Sequence, residues 1–469
     1  MKKCSLSIHV FQPKMHKLLI PLVLVVGFWS AASSSLVVNE EQQQQFTLGR
    51  AALYRRAPRT ESTATGKFWH FTDPHIDPHY TPGTFPDTSC HFPSYNTSGT
   101  QSPAGPLGAP MTMCDSPPLL IDATIAYAQS LGPVDFVVVT GDSARHDTNL
   151  PKSWDENFAL VDRIAGAVSS AWPEIPILHS IGNNDVYPHN SLAPTSPTLA
   201  RLAVSWSSAI PDSQRATFIQ GGYYAVPLGP NLMGLSLNTL FFYAPNDQAT
   251  DCAADPNGPG GAHLAWIADQ LATARAAGHA VVIAGHVPPH PNAWLPGCID
   301  RYAAILGEFG DVVMAQPFGH VNLDHFNARH LLSRAEYATS SQSQITGDLE
   351  AAVRALDKTT STSVVLVSPS MLPNYYPSIR QFEYHGSRLL DYTQYFLNLT
   401  SWQQQHQDER RAVEFQVEYR ATEAYGLHDL SPTEYARLAV LLVGWDMRAH
   451  PQAVRAQFWR YLSVSTGIQ

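Results

Sequence analysis

Five short segments of the chain carry side chains suited to binding metal ions. They are Asp73-Pro74-His75, Gly141-Asp142, Gly182-Asn183-Asn184-Asp185, Gly285-His286 and Gly319-His320-Val321-Asn322. Carboxylates carry charge and can bridge two cations, imidazoles give neutral nitrogen donors, and an asparagine oxygen adds a neutral ligand. Together these donors are what a two-metal site needs. Such a site, with cations about 3.5–4 Å apart, activates water and clamps both attacking and leaving oxygens. Glycine before a ligand permits a sharp turn and close backbone approach. Any one segment alone is ordinary loop sequence, so the signal is the succession of five.

Each segment follows a short apolar run. Phe68-Trp69-His70-Phe71 leads to Thr72-Asp73, and Phe136-Val137-Val138-Val139 leads to Thr140-Gly141-Asp142. Residues 175–181, broken by Pro176, lead to Gly182, and Val281-Val282-Ile283-Ala284 leads to Gly285-His286. Residues 312–314 precede Gly319-His320, and residues 232–237 end at Asn238-Thr239. Helical stretches lie between, at 122–130, 157–171, 198–208 and 262–277. Strands alternating with helices indicate an α/β layered fold, in which ligands gather beyond the carboxyl ends of the strands. Residues 67–370 read as the catalytic domain, with a Pro-, Ser- and Gly-rich loop at 81–118. From 371 to 469 the alternation fades into strands near 380–384 and 413–419 and helices near 432–444 and 452–464. That stretch reads as a C-terminal extension packed on the core.

Composition narrows the function. The chain has 469 residues, with 29 Lys+Arg against 39 Asp+Glu and a net charge of −10. Only 14% of residues are charged and 44% are hydrophobic, which excludes intrinsic disorder. The acidic balance argues against nucleic acid as a partner, since phosphate backbones are held by Lys and Arg.

Lys2, Lys3, Lys14 and Lys17 precede or flank an uncharged run at 18–38. Residues 1–39 therefore read either as a cleaved signal peptide or as a signal-anchor spanning a membrane, and 40–66 as a polar linker or propeptide. Both readings send the body of the protein out of the cytosol. Two sequons, Asn96-Thr97-Ser98 and Asn398-Leu399-Thr400, agree with that. So do Cys90, Cys114, Cys252 and Cys298, an even set for which sequential pairing, 90–114 and 252–298, is expected among three connectivities. The alternative is four free buried thiols. The apolar stretch at 438–443 is too short to span a bilayer and reads as core.

The order of the five segments resembles the metallophosphoesterase (calcineurin-like) superfamily over residues 67–330. Within it, the chain resembles the branch of acid sphingomyelinases and fungal vacuolar endopolyphosphatases. The segments Ile181-Gly182-Asn183-Asn184-Asp185-Val186-Tyr187-Pro188-His189-Asn190 and Phe318-Gly319-His320-Val321-Asn322-Leu323-Asp324-His325-Phe326 are similar to endopolyphosphatases in particular. The resemblance implies a layered β-sandwich flanked by helices and holding two divalent metal ions, with Zn, Mn, Co and Mg all open. It implies that Asp73, His75, Asp142 and Asn322 hold the first ion. Asp142, Asn183, His286 and His320 would hold the second, with Asp142 bridging. A metal-bound hydroxide would attack phosphorus. His146, four residues after the bridging Asp, matches a histidine that contacts phosphate and protonates the leaving oxygen.

Two positions depart from the superfamily pattern. Asn184 stands where a histidine is usual; it cannot give up a proton but can offer an amide N–H to a phosphate oxygen. Asn322 replaces the second histidine of Gly-His-x-His, so an oxygen donor replaces a nitrogen. Oxygen-rich sites favour harder ions, so Mn²⁺, Co²⁺ or Mg²⁺ is expected to serve besides Zn²⁺. Both departures fit the endopolyphosphatase pattern. His189 and His325 are expected to be supporting or structural, and Tyr187, Tyr375 and Tyr376 to be mainly packing. His79 and His91 are candidates to line the substrate entry. The resulting expectation is a dimetal hydrolase cutting inside inorganic polyphosphate, located in the vacuole membrane or lumen, or secreted. A sphingomyelinase-like phosphodiesterase acting on phosphocholine lipids or nucleotides is one alternative, and a non-catalytic luminal phosphate- or metal-binding protein is another.

Overall fold

The computed structural model describes residues 65–93, 102–330, 362–405, 413–443 and 451–466. The N-terminal apolar segment, most of the linker and the Asn96 sequon lie outside the described residues. Among the described residues no helix is long and apolar enough to cross a membrane.

Two larger sheets form the layers. The six-stranded sheet has β1 (Thr65–Phe71) near its centre, followed on one side by β2 (Phe136–Val139) and β3 (Ile177–His179). These three strands are parallel, and β2 is buried at every position, as a strand covered on both faces must be. The four-stranded sheet runs β4 (Tyr224–Gly229), β5 (Leu232–Ser236), β6 (Ala280–Ala284), β7 (Val313–Ala315). Along β6 the side chains alternate. Ala280, Val282 and Ala284 join the core shared with the six-stranded sheet, while Val281 and Ile283 join a second core beneath two helices, Pro259–Ala277 and Pro296–Phe309. That two-residue period makes the sandwich. A third sheet, in the order β8 (Pro317–Phe318), β10 (Thr362–Val367), β9 (His325–His330), adjoins it. The expected α/β layered sandwich flanked by helices is the fold observed.

Helix starts fall earlier than the apolar period alone suggests, because caps set them. The helix expected from 157 begins at Trp154, where Ser153 accepts the Glu156 backbone N–H and Asp155 and Glu156 face the amino end. The helix expected from 262 begins at Pro259, whose fixed φ suits the first turn. The helix Asp212–Gly221 and the strand β4 are additions to the sequence reading.

The C-terminal residues build half of the large sheet. β11 (Ser378–His385) pairs antiparallel with β1, and β12 (Arg388–Phe396) and β13 (Gln416–Arg420) follow outward. Disulfides join Cys90 to Cys114 and Cys252 to Cys298, the sequential pairing expected.

Candidate metal centre

The five segments all leave strands at one edge of the sandwich. Parallel β1 and β2 carry the first two into register: Asp73 N–H bonds the Gly141 carbonyl at 3.1 Å, and His75 N–H bonds that of Asp142 at 2.9 Å. β3, β6 and β8 deliver the others. The turns are tight. Asp73, His75, Asp142, His320 and Asn322 all sit at positive φ, between 40° and 72°. Non-glycine residues held there cost of order 1–3 kcal/mol each, and such strain gathers at functional sites. Glycine is required beside them. A Cβ on Gly182 would overlap the Asp142 backbone nitrogen and carboxylate, and one on Gly319 would overlap Thr72 and the Asp73 carboxylate.

Asp142 is the centre of the cluster. Its Oδ2 lies 3.4 Å from His75 Nε2 and 3.2 Å from His286 Nε2. Asp73 Oδ1 is 3.7 Å from the same His75 nitrogen. Among the described residues three groups have donor atoms within 4.8 Å of one another: two that meet at the centre, Asp73–His75–Asp142 and Asp142–His286–His320, and His75–Asp115–His146. The first two share Asp142. Asn183 Oδ1 lies 2.8 Å from His286 Nε2 and 2.7 Å from His320 Nδ1, which adds the amide to the second group. Asn322 Oδ1 is buried with no hydrogen-bond partner.

The tautomers of two imidazoles follow from their partners. His75 Nδ1 faces the Ala144 carbonyl at 3.0 Å and His286 Nδ1 faces that of Thr140 at 2.7 Å. A carbonyl only accepts, so both Nδ1 atoms carry the proton. In a neutral ring, each Nε2 then turns a lone pair toward the oxygens of Asp142 and its neighbours. Lone pairs facing lone pairs call for a cation between them. Burial works against protonating either ring, yet the surrounding carboxylates win. Asp73, Asp142 and Asp115 raise His75 to about 9, and Asp142 and Asp73 raise His286 to about 9. His320 goes the other way, to about 4, under burial and the nearby His286. The Asp142 carboxyl is held well below the usual range; burial opposes this but His286 and His75 dominate. Orphaned His75 Nε2 and Asn322 Oδ1, both buried, fit the same requirement for divalent ions.

Supporting groups fix the ligands. Asn183 Nδ2 donates to His189 Nε2 at 2.8 Å and to Asn190 Oδ1 at 3.0 Å, which points its Oδ1 into the cluster. Asp185 accepts four backbone N–H groups, from Asp142, Ser143, Ala144 and Gly182, at 2.7–3.2 Å. It thereby locks the turn that carries Asp142 against the turn that carries Asn183. Asn184 stands apart from the sequence expectation. Its Nδ2 donates to Asp142 Oδ2 at 2.8 Å and its backbone N–H to Oδ1 at 2.7 Å, and the residue is 2% exposed. The amide expected to meet phosphate is directed to the carboxylate instead. Buried Asn157 and Lys152 hold the Asn184 carbonyl at 3.0 and 3.3 Å.

His146 lies against this cluster, its ring stacked on His75 at 3.9 Å between centroids. Buried Asp115 accepts its Nδ1–H at 2.7 Å. Sequence reasoning gave no role to Asp185 or Asn190 and missed Asp115, which carried one usable signal, its position beside Cys114. Of the remaining histidines, His91 is buried and bonds Asp77 at 2.6 Å and Asn149 at 2.7 Å, which ties its loop to the segments on either side. His79 is half-exposed, 3.5 Å from Glu156. His325 is set against the Leu323 carbonyl, and burial pushes it down to about 4.

The family model for calcineurin-like phosphoesterases matches residues 66–321, and that for the acid sphingomyelin phosphodiesterase C-terminal region matches residues 359–466. An endopolyphosphatase of Schizosaccharomyces pombe is 30% identical over 389 residues, covering 75% of this chain and 67% of that protein. An endopolyphosphatase of Cryptococcus neoformans is 31% identical, covering 69% of this chain and 58% of its own. One of Neurospora crassa is 33% identical, covering 70% and 53%. The chain thus spans between about half and two thirds of the length of these relatives.

Proposed function

We propose that this chain, which belongs to the calcineurin-like phosphoesterase family, is an endopolyphosphatase that cuts internal phosphoanhydride bonds of inorganic polyphosphate. It is a metal-dependent hydrolase, and the finer reading concerns its substrate and its residues. Asp73, His75, Asp142 and Asn322 would hold one divalent ion, and Asp142, Asn183, His286 and His320 a second. Divalent ions bound there polarise phosphate oxygens and lower the pKa of bound water. His146, oriented by Asp115, hands a proton to the leaving oxygen. Asn184 keeps the Asp142 carboxylate aimed between the two groups.

The observation that carries the reading is His286. Its Nδ1 is committed to Thr140, so Nε2 is the atom turned toward Asp142 and Asn183, where a divalent cation would take the place of the ring's second proton. Substrate choice is supported by the relatives that bear the endopolyphosphatase name. The mixed N and O donors support Mn²⁺, Co²⁺ or Mg²⁺ besides Zn²⁺. With a net charge of −10, the hold on a polyanion is concentrated at this cleft. Two disulfides support an oxidising compartment on the secretory route, and within that route the vacuole is proposed.

The match of residues 359–466 favours a second reading, a sphingomyelinase-like phosphodiesterase. Incubation with long-chain polyphosphate and a divalent metal, followed by sizing of the products on a gel, separates the two. Progressive shortening supports the proposal. Hydrolysis of sphingomyelin or nucleotide diphosphates alone supports the second reading. No hydrolysis with any metal leaves a phosphate- or metal-binding protein.

A further inference from the structure

The turn that carries His320 and Asn322 is held from both ends, and its far end is gripped by the C-terminal region. At the near end, His320 N–H bonds Asp73 Oδ2 at 2.9 Å. At the far end stands Asp324, two residues past Asn322 and 5% exposed. Its Oδ1 forms an ion pair with Arg380 at 2.6 Å, and its Oδ2 accepts the Tyr419 hydroxyl at 2.5 Å. Its backbone N–H bonds the Leu462 carbonyl at 3.0 Å. These partners come from β11, from β13 and from the helix Pro451–Leu462, all within residues 359–466. They are themselves fixed. Arg380 is 1% exposed, lies 3.9 Å over the Tyr392 ring and bonds Gln394 at 2.8 Å; Tyr392 and Tyr419 share a hydroxyl contact of 2.8 Å.

This network matters because the turn is strained. His320 at φ 72° and Asn322 at φ 62° both occupy left-handed backbone, and Val321 between them is 36% exposed. A turn with two such residues keeps its shape only when its surroundings hold it. The geometry points to Asp324 as a positioning residue for the candidate metal ligand Asn322, with the C-terminal region completing the metal centre through it. β11 also pairs with β1, which leads to Asp73 and His75. The same region therefore sets the strand behind two ligands of the first group and the turn bearing another. The inference rests on the metal-centre assignment above and adds that one ion depends on residues 378–462.

The test is Mn²⁺ titration of metal-free full-length protein by calorimetry, comparing wild type, Asp324→Asn and Tyr419→Phe. Asp324→Asn removes the charge that faces Arg380 at nearly unchanged size. Tyr419→Phe removes one hydrogen bond and leaves the ion pair, so it serves if the first variant does not fold. Supporting groups behind metal ligands typically contribute about 10- to 100-fold in affinity. We expect one of two sites to weaken about 10-fold or more, with the other unchanged. Activity of the variants should recover at saturating Mn²⁺ with little loss of kcat. Wild-type affinity at both sites in folded variants, even with a lowered Tm, overturns the inference while leaving the metal centre standing. A wild-type protein that binds no divalent ion overturns both.

Discussion

Asp115 grips His146 twice, accepting the ring Nδ1–H on Oδ1 and the backbone N–H on Oδ2, each at 2.7 Å. The bond fixes the tautomer, so Nε2 is the atom left to exchange a proton with substrate. Among the described residues no protein group hydrogen-bonds that nitrogen. The ring is also stacked on His75, which fixes its plane beside the metal cluster.

Loss of His146 should therefore remove proton transfer without disturbing the metals. His146→Ala is expected to lower kcat on polyphosphate by about 10²- to 10⁴-fold, the usual share of general acid catalysis. Metal content by mass spectrometry should stay at the wild-type value. Asp115→Asn should fall between wild type and His146→Ala, since it disturbs orientation and not the acid itself. Unchanged turnover in His146→Ala would reject the assignment.

The His189 and Asn190 side chains orient Asn183, a proposed metal ligand. Both accept its Nδ2 hydrogens, and without them the amide is free to rotate its oxygen away from His286 and His320. His189→Ala combined with Asn190→Ala should weaken divalent-ion affinity about 10-fold or more. Thermal stability should change little, because His189 is exposed. A double variant with wild-type affinity in a metal-buffer titration would show that Asn183 is oriented by other means.

The candidate ligands of this centre were legible in the sequence because they follow strands in chain order. Asp73, His75, Asp142, Asn183, His286 and His320 were each marked by a short apolar run ending in a turn. What could not be read there were the contacts between segments far apart in the chain. Asp115 sits 31 residues before His146 and belongs to a loop without strand or helix signal. The Asn184 contact to Asp142 was out of reach for a related reason. Its amide can serve phosphate or carboxylate equally, and only the fold shows Asp142 Oδ2 at 2.8 Å. In the same way the C-terminal strands were partly visible as apolar runs, but nothing local announced that β11 would pair with β1.

The disulfide Cys90–Cys114 offers a separate handle, since it directly precedes Asp115. It closes a separation of 24 residues, for which loop-closure entropy gives about 3 kcal/mol. Cys90→Ala combined with Cys114→Ala is expected to lose stability of that order in denaturant melts. Because the bond anchors the segment holding His146, kcat should fall before the fold is lost. Equal kcat in bonded and unbonded protein, measured well below Tm, would disconnect the loop from the acid.

pH dependence of stability can be argued for Glu418 on β13, away from the metal cluster. Its Oε2 is buried without a partner, and its Oε1 accepts the Ser465 hydroxyl at 2.7 Å. Burial raises its pKa to about 8, and Asp324 adds to the rise; Ser465, Arg380 and Arg460 oppose it. The folded-state pKa thus lies above the unfolded one. Folding favours the protonated acid, so Glu418 costs nothing near pH 4 and increasingly opposes folding as pH rises toward 8. At about 1.4 kcal/mol per pKa unit the full cost is on the order of a few kcal/mol. Glu418→Gln removes the ionisation and keeps the shape. It should raise Tm at pH 8 and leave it nearly unchanged at pH 4 in calorimetric scans. A gain of equal size at both pH values would mean that the carboxyl is not the group responsible.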